Sequence, residues 1–118
     1  MRKRVQTQSC PPQDCCPEDT STGLAQLTTP AGEQHLANLC KALGHPARVR
    51  ILRILLEHDV CVAGELADQI DLAQSTVSQH LKILKESGLI KGEIDGPRRC
   101  YCVNRTILAE LKTLIHKL

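Results

Sequence analysis

The sequence predicts a mainly α-helical fold closed by one small β-hairpin, and three observations carry that prediction. From residue 30 onward, apolar residues recur at helical spacing in successive segments broken by Gly or Pro. After Gly88 the pattern changes to that of strands, in Leu89 to Asp95 and again in Cys100 to Val103, with Gly96-Pro97 turning the chain between them. Just before that hairpin come a short helix, a tight turn at Asp71-Leu72-Ala73 and a longer helix with a polar outer face. This is the order of a winged helix-turn-helix.

The chain has 118 residues, which suits one domain. Residues 1–29 are rich in Pro, Gln, Ser and Thr and read as a flexible, cysteine-bearing arm; residues 30–118 form the folded domain. Hydrophobic residues make up 42% of the chain, Phe and Trp are absent, and Tyr101 is the only aromatic of the Phe, Trp and Tyr set. The core must therefore be aliphatic. RNA-binding sheets that stack bases on aromatic side chains are disfavoured for the same reason. No apolar run reaches membrane-spanning length, and Met1-Arg-Lys-Arg4 is not followed by an apolar signal segment. Seven cysteines, an odd number, argue against a disulfide framework and for free thiols in a reducing cytoplasm.

Thr29-Pro30 starts the first helix, with Thr as cap and Pro at the first helical position. Its apolar stripe is Leu36, Leu39, Cys40 and Leu43, which makes Cys40 a small core residue, and Gly44 ends it. Pro46 opens the second helix, to about Glu57, with Ile51, Leu52, Leu55 and Leu56 inward and Arg48, Arg50 and Arg53 elsewhere. The third spans about Val62 to Ile70, with Leu66 and Ile70 inward and Cys61 at its N-terminal end, where the helix dipole favours thiolate. The last helix, Arg105 to Leu118, carries the stripe Ile107, Leu111, Leu114, Ile115 and Leu118. That stripe is expected to pack on the first helix and on a second subunit, making a homodimer.

The helix between the turn and Gly88 buries Val77, Leu81 and Leu84. On the opposite side lie Ser75, Ser78, Gln79 and Lys82, short hydroxyls and an amide in place of the usual Glu/Lys mixture. Such side chains fit against base edges and phosphates, as a recognition helix in a major groove requires. Gln74, Thr76 and His80 complete the expected reading surface, and Arg98 and Arg99 at the hairpin tip are placed to reach phosphate or the minor groove. The bland reading is a solvated polar face. Net charge is only +2, yet between His80 and Arg105 six basic residues stand against three acidic ones. That excess suits double-stranded DNA.

Three stretches carry a resemblance: Lys41-Ala-Leu-Gly-His-Pro-Ala-Arg-Val-Arg-Ile-Leu52, Gln74-Ser-Thr-Val-Ser-Gln-His-Leu81 and Gly96-Pro-Arg-Arg-Cys-Tyr101. Over about residues 33–118 the sequence resembles the ArsR/SmtB family of metal-sensing bacterial repressors. The resemblance implies a dimeric winged-helix repressor, not an enzyme, that holds operator DNA when free and leaves it when an inducer binds. Many arsenic-responsive members resemble one another in a three-cysteine third helix; here that helix has Cys61 alone, so their site does not transfer. Zinc-responsive members use Asp, His and Glu on the last helix, which here offers Glu110 and His116 only. Asp14-Cys-Cys-Pro17 resembles a third variant, in which an arm cysteine pair works with a further thiol.

Trivalent arsenic or antimony takes three thiolates. Cys15 and Cys16 are neighbours on the arm and can supply two; the third falls to Cys61 or to Cys100 and Cys102, which share one face of a strand. Zinc or cadmium held by thiolates is a lesser alternative, and a metal-free thiol redox switch is another. An enzymatic role is disfavoured, because the sequence has neither Cys-x-x-Cys nor a βαβ pattern.

Overall fold

The computed structural model describes residues 27–58, 66–93 and 100–118. The expected arm, the start of the third helix and the hairpin tip lie outside those residues, apart from the arm's last residues, Leu27 to Thr29.

Helix α1 is Pro30–Ala42. Thr29 is extended and its Oγ1 accepts the Gly32 N–H at 3.0 Å, while Pro30 takes the position whose own N–H would be orphaned. Helix α2 is Pro46–His58. The carbonyl of His45 accepts the N–H groups of Arg48 and Val49, and its Nδ1 accepts that of Ala47 at 3.0 Å, so one residue satisfies three orphan donors. Helix α3 is described over Leu66–Ile70, and Asp71, at φ 59°, turns the chain in the left-handed region that Asp tolerates.

Helix α4 is Gln74–Ser87. It stops at Gly88, whose φ of 88° is left-handed. The Leu89 N–H then reaches the Leu84 carbonyl at 3.1 Å and the Gly88 N–H the Lys85 carbonyl at 3.0 Å, which closes the helix in a Schellman turn. Strand β1 (Ile90–Glu93) pairs antiparallel with β2 (Cys100–Val103), placing Ile90 opposite Val103 and Glu93 opposite Cys100. Helix α5 is Arg105–His116, capped by buried Asn104, whose Oδ1 accepts the Ile107 N–H at 3.2 Å. The Asn104 N–H bonds to the Leu89 carbonyl at 2.9 Å, so the exit of α4 and the entry of α5 are tied together.

The core is aliphatic, as the composition requires. Its largest fully buried members are Leu39 on α1, Ile51 and Leu55 on α2, Leu66 on α3, Leu81 and Leu84 on α4, Leu89, and Leu114 on α5, with Tyr101 buried beside them. Helix α4 lies against α1 and α2, β1 against α4, β2 against α2, and α5 against α1. His35 of α1 and Glu110 of α5 meet at 3.5 Å across the last of these contacts. Among the described residues no helix is long and apolar enough to cross a membrane.

The structure departs from expectation at Cys40, which is an exposed free thiol, not a core residue. The buried face of α1 is Gly32, Leu36, Leu39 and Ala42. It centres on Leu39, and Cys40 stands about 100° round the helix from that centre. On α5 the inner part of the expected stripe, Ile107, Leu111 and Leu114, is buried, whereas Ile115 and Leu118 are 49% and 81% exposed.

Gly88→Ala isolates the cost of the left-handed stop, because the added Cβ would meet Ile107 only at an ordinary 3.8 Å. The expected loss is about 1–2 kcal/mol of unfolding free energy in a urea titration.

Candidate functional site

The outer face of α4 is set by its inner one. With Val77, Leu81 and Leu84 buried, the 100° step of the helix leaves Ser75, Gln79 and Lys82 exposed on the far side, with Gln74 exposed beside them and Thr76 and Ser78 half-buried at the flanks. Of the seven helix residues expected in the reading surface, four are thus exposed and two half-buried.

His80 is the seventh, and it is elsewhere. It is only 9% exposed and faces the start of α2. Its ring lies 4.5 Å from that of His45, centroid to centroid, at a 46° tilt, and its Nδ1 is 3.4 Å from Arg48 Nη1. A guanidinium can only donate, so Nδ1 is the acceptor and the ring is neutral with its proton on Nε2. Burial lowers the His80 pKa below 6.5, and the charges of His45 and Arg48 push in the same direction. The second Arg48 nitrogen, Nη2, reaches the Lys41 carbonyl at 3.5 Å at the end of α1. No periodicity in the sequence marks this group: His45 and Arg48 sit at a helix start, and His80, expected in the reading surface, is buried against the start of α2.

Arg98 and Arg99 lie outside the described residues. What is described is the attachment of the hairpin to α4. Lys85 Nζ donates to the Gly92 carbonyl at 2.6 Å, and Gly92 adopts φ 126°, which a side chain would resist. The helix and the first strand are therefore joined by a side-chain bond as well as by the Gly88 turn.

Of the expected thiol set, Cys15, Cys16 and Cys61 also lie outside the described residues. Cys100 is fully buried and Cys102 half-buried, and both are disulfide-bonded. This corrects the expectation of free thiols at these two positions. A disulfide needs a second sulfur at about 2 Å, and a cysteine count says nothing about such distances. Among the described cysteines Cys40 alone is free. Among the described residues no group of three or more His, Cys, Asp or Glu side chains forms a metal cage.

Comparison with known proteins agrees with this architecture. Residues 45–91, from the His45 cap through α4 to the first strand, match the family model described as "Bacterial regulatory protein, arsR family". The chain is 36% identical over 81 residues to the uncharacterized HTH-type transcriptional regulator Rv0081 of Mycobacterium tuberculosis H37Rv, covering 69% of this chain and 71% of that one. It is 40% identical over 83 residues to the HTH-type transcriptional regulator CmtR of the same strain, 70% of each. With the regulator YgaV of Escherichia coli K12 it shares 38% identity over 94 residues, 79% of this chain and 93% of that one. The crystal structure of M. tuberculosis Rv0081 superposes with a TM-score of 0.57 at 33% identity, covering 76% of this chain and 89% of the other.

The positions of the cysteines make a direct prediction. In the native, non-reduced protein Cys40 is expected to react with iodoacetamide within minutes while Cys100 stays unlabelled, as read by peptide mass spectrometry. Cys40→Ser should change unfolding free energy by no more than about 0.5 kcal/mol, the range of ordinary surface substitutions.

Proposed function

The chain belongs to the arsR family of bacterial regulatory proteins and is a DNA-binding transcriptional regulator, not an enzyme, and from that premise we propose that it is a homodimeric repressor released from its operator by an inducer bound to thiols. The observation that carries the reading of DNA is the face of Gln74, Ser75, Gln79 and Lys82, exposed on a helix whose other side is locked in the core. In this reading those side chains, with Thr76 and Ser78, enter the major groove, and Arg98 and Arg99 hold phosphate or the minor groove. Two copies are required because one recognition helix spans few base pairs. In this reading Ile115, exposed on α5, and Leu118, exposed just beyond its end, pack against the partner subunit.

The inducer we propose is trivalent arsenic or antimony. Three thiols displace the three hydroxides of arsenous acid as water, leaving an ion with three sulfur ligands. Cys15 and Cys16, with Cys61 or with Cys100 and Cys102, are the donors; soft thiolates exclude magnesium and calcium, which prefer oxygen. Zinc or cadmium would use the same sulfurs. A second reading is favoured by the disulfides at Cys100 and Cys102: a peroxide oxidises two thiols to a disulfide and is itself reduced to two waters, and the altered hairpin releases DNA.

Three measurements test this. Selection from a random-sequence duplex library should enrich a two-fold symmetric site, and Gln79→Ala should weaken that duplex by about 1–3 kcal/mol and relax base preference, whereas Arg99→Ala should weaken all duplexes alike. Unchanged affinity and preference in Gln79→Ala would remove the recognition helix from the account. Sedimentation should show a dimer that Ile115→Asp converts to monomer; this position is preferable to Leu111, which is buried within the subunit itself. Arsenite should release the reduced wild type from the selected duplex and leave Cys15→Ser, Cys16→Ser and a form lacking residues 1–28 bound. Release by peroxide but not by arsenite would select the redox reading.

A further inference from the structure

His80 is the one polar side chain of α4 that is buried, and among the described residues the Arg48 guanidinium reaches it. His45 stacks on it at 4.5 Å from the loop before α2, and Arg48 donates to its Nδ1 at 3.4 Å from the first turn of α2. Lys41, at the end of α1, enters through its carbonyl, which takes the other Arg48 nitrogen, Nη2, at 3.5 Å. The charges that act on His80 among the described residues are those of His45 and Arg48. Arg48 Nε is buried and has no hydrogen-bond partner among the described residues, and the contact of this guanidinium with His80 is its link to α4.

We propose that the neutral imidazole of His80 is a positioning residue for DNA reading: its lone pair on Arg48 and its stacking on His45 fix the angle of α4 against α2, and protonation of that lone pair releases the helix. The proposal rests on the reading of α4 as the recognition helix. A protonated Nδ1 can no longer accept from Arg48. It also places a second cation 3.4 Å from a guanidinium in a site that burial has already made hostile to charge. The pKa of His80 is lowered in the folded chain, so the unfolded chain binds the proton more readily and stability is lost as pH falls below about 6.5. Above that value the contact is intact. The same loss acts on DNA reading, because α4 carries the outer face and the contact with α2 together. Acidification thereby acts against the general trend, in which added positive charge strengthens binding to DNA.

The test is the affinity of the library-selected duplex from pH 8.0 to 5.5 at fixed ionic strength, with a scrambled duplex as reference. For the wild type the ratio of selected to scrambled affinity should fall on the order of tenfold, a coupling typical of linked sites. His80→Gln, neutral at every pH and still able to accept from Arg48, should hold a constant ratio, and His35→Gln should fall like the wild type. His45→Asn keeps an acceptor for the Ala47 N–H but removes the His45 influence that lowers the His80 pKa, so its fall should begin at higher pH. A constant ratio in the wild type, or a fall retained in His80→Gln, overturns the proposal. If no duplex is selected at any pH the DNA reading itself fails. In that case, or if His80→Gln does not fold, amide protection factors across Val77 to Leu84 in the wild type decide: they should drop as the His80 ring titrates by NMR, and protection unchanged through that titration overturns the proposal.

Discussion

The contact on which the structure depends is the burial of one side of α4 against α1 and α2. Leu84 and Leu39 have no exposure at all, and Leu81, Ile51 and Leu55 close the space between the three helices. A buried leucine contributes about 1.5–3 kcal/mol relative to leaving it in water, so this seam is a leading favourable contribution to folding. It also decides orientation. Once Val77, Leu81 and Leu84 are committed inward, the polar side of the helix has one direction in which to point. The Gly88 stop and the Asn104 cap fix where that helix ends and where the next two elements begin.

The hairpin inherits its position from the same helix. Leu89 continues the core directly after the Schellman turn, Lys85 holds the Gly92 carbonyl, and Asn104 returns the chain to Leu89. The hairpin strands are thus tied to α4 and its exit at three points. This gives a physical route from the sulfurs of β2 to the outer face of α4: Cys100 is buried in the strand that pairs with β1, so a change in the bonding of its sulfur acts on that strand. In the other direction, α5 couples to α1 through its inner stripe and through His35 and Glu110, so the face proposed to hold a second subunit is joined to the seam under α4.

Much of this was legible because helix and strand periods differ so plainly along the chain. Thr29-Pro30, Gly88 and the Cys100 to Val103 strand appear where capping and turn chemistry place them. Cys40 and His80 depart from expectation for one reason. Cys40 and His80 both stand at the edge of a helical stripe, where a wheel does not say which flank is covered; packing decides, and it covered Ala42 in preference to Cys40, and His80 in preference to leaving it with the serines. The His45–Arg48–His80 group was invisible because it joins residues about thirty positions apart through a stacking contact that has no period. The disulfides at Cys100 and Cys102 were missed because cysteine count says nothing of distance.

The central claim is that the outer face of α4 is the surface that meets base edges. Photo-crosslinking from bromodeoxyuridine placed at successive positions of the selected duplex, with the protein attachment sites mapped by mass spectrometry, tests it most directly. The account predicts attachment within Gln74 to Lys82, changing residue as the label moves along one half-site. Attachment confined to α1 or α5, with α4 unlabelled at every position, would contradict it.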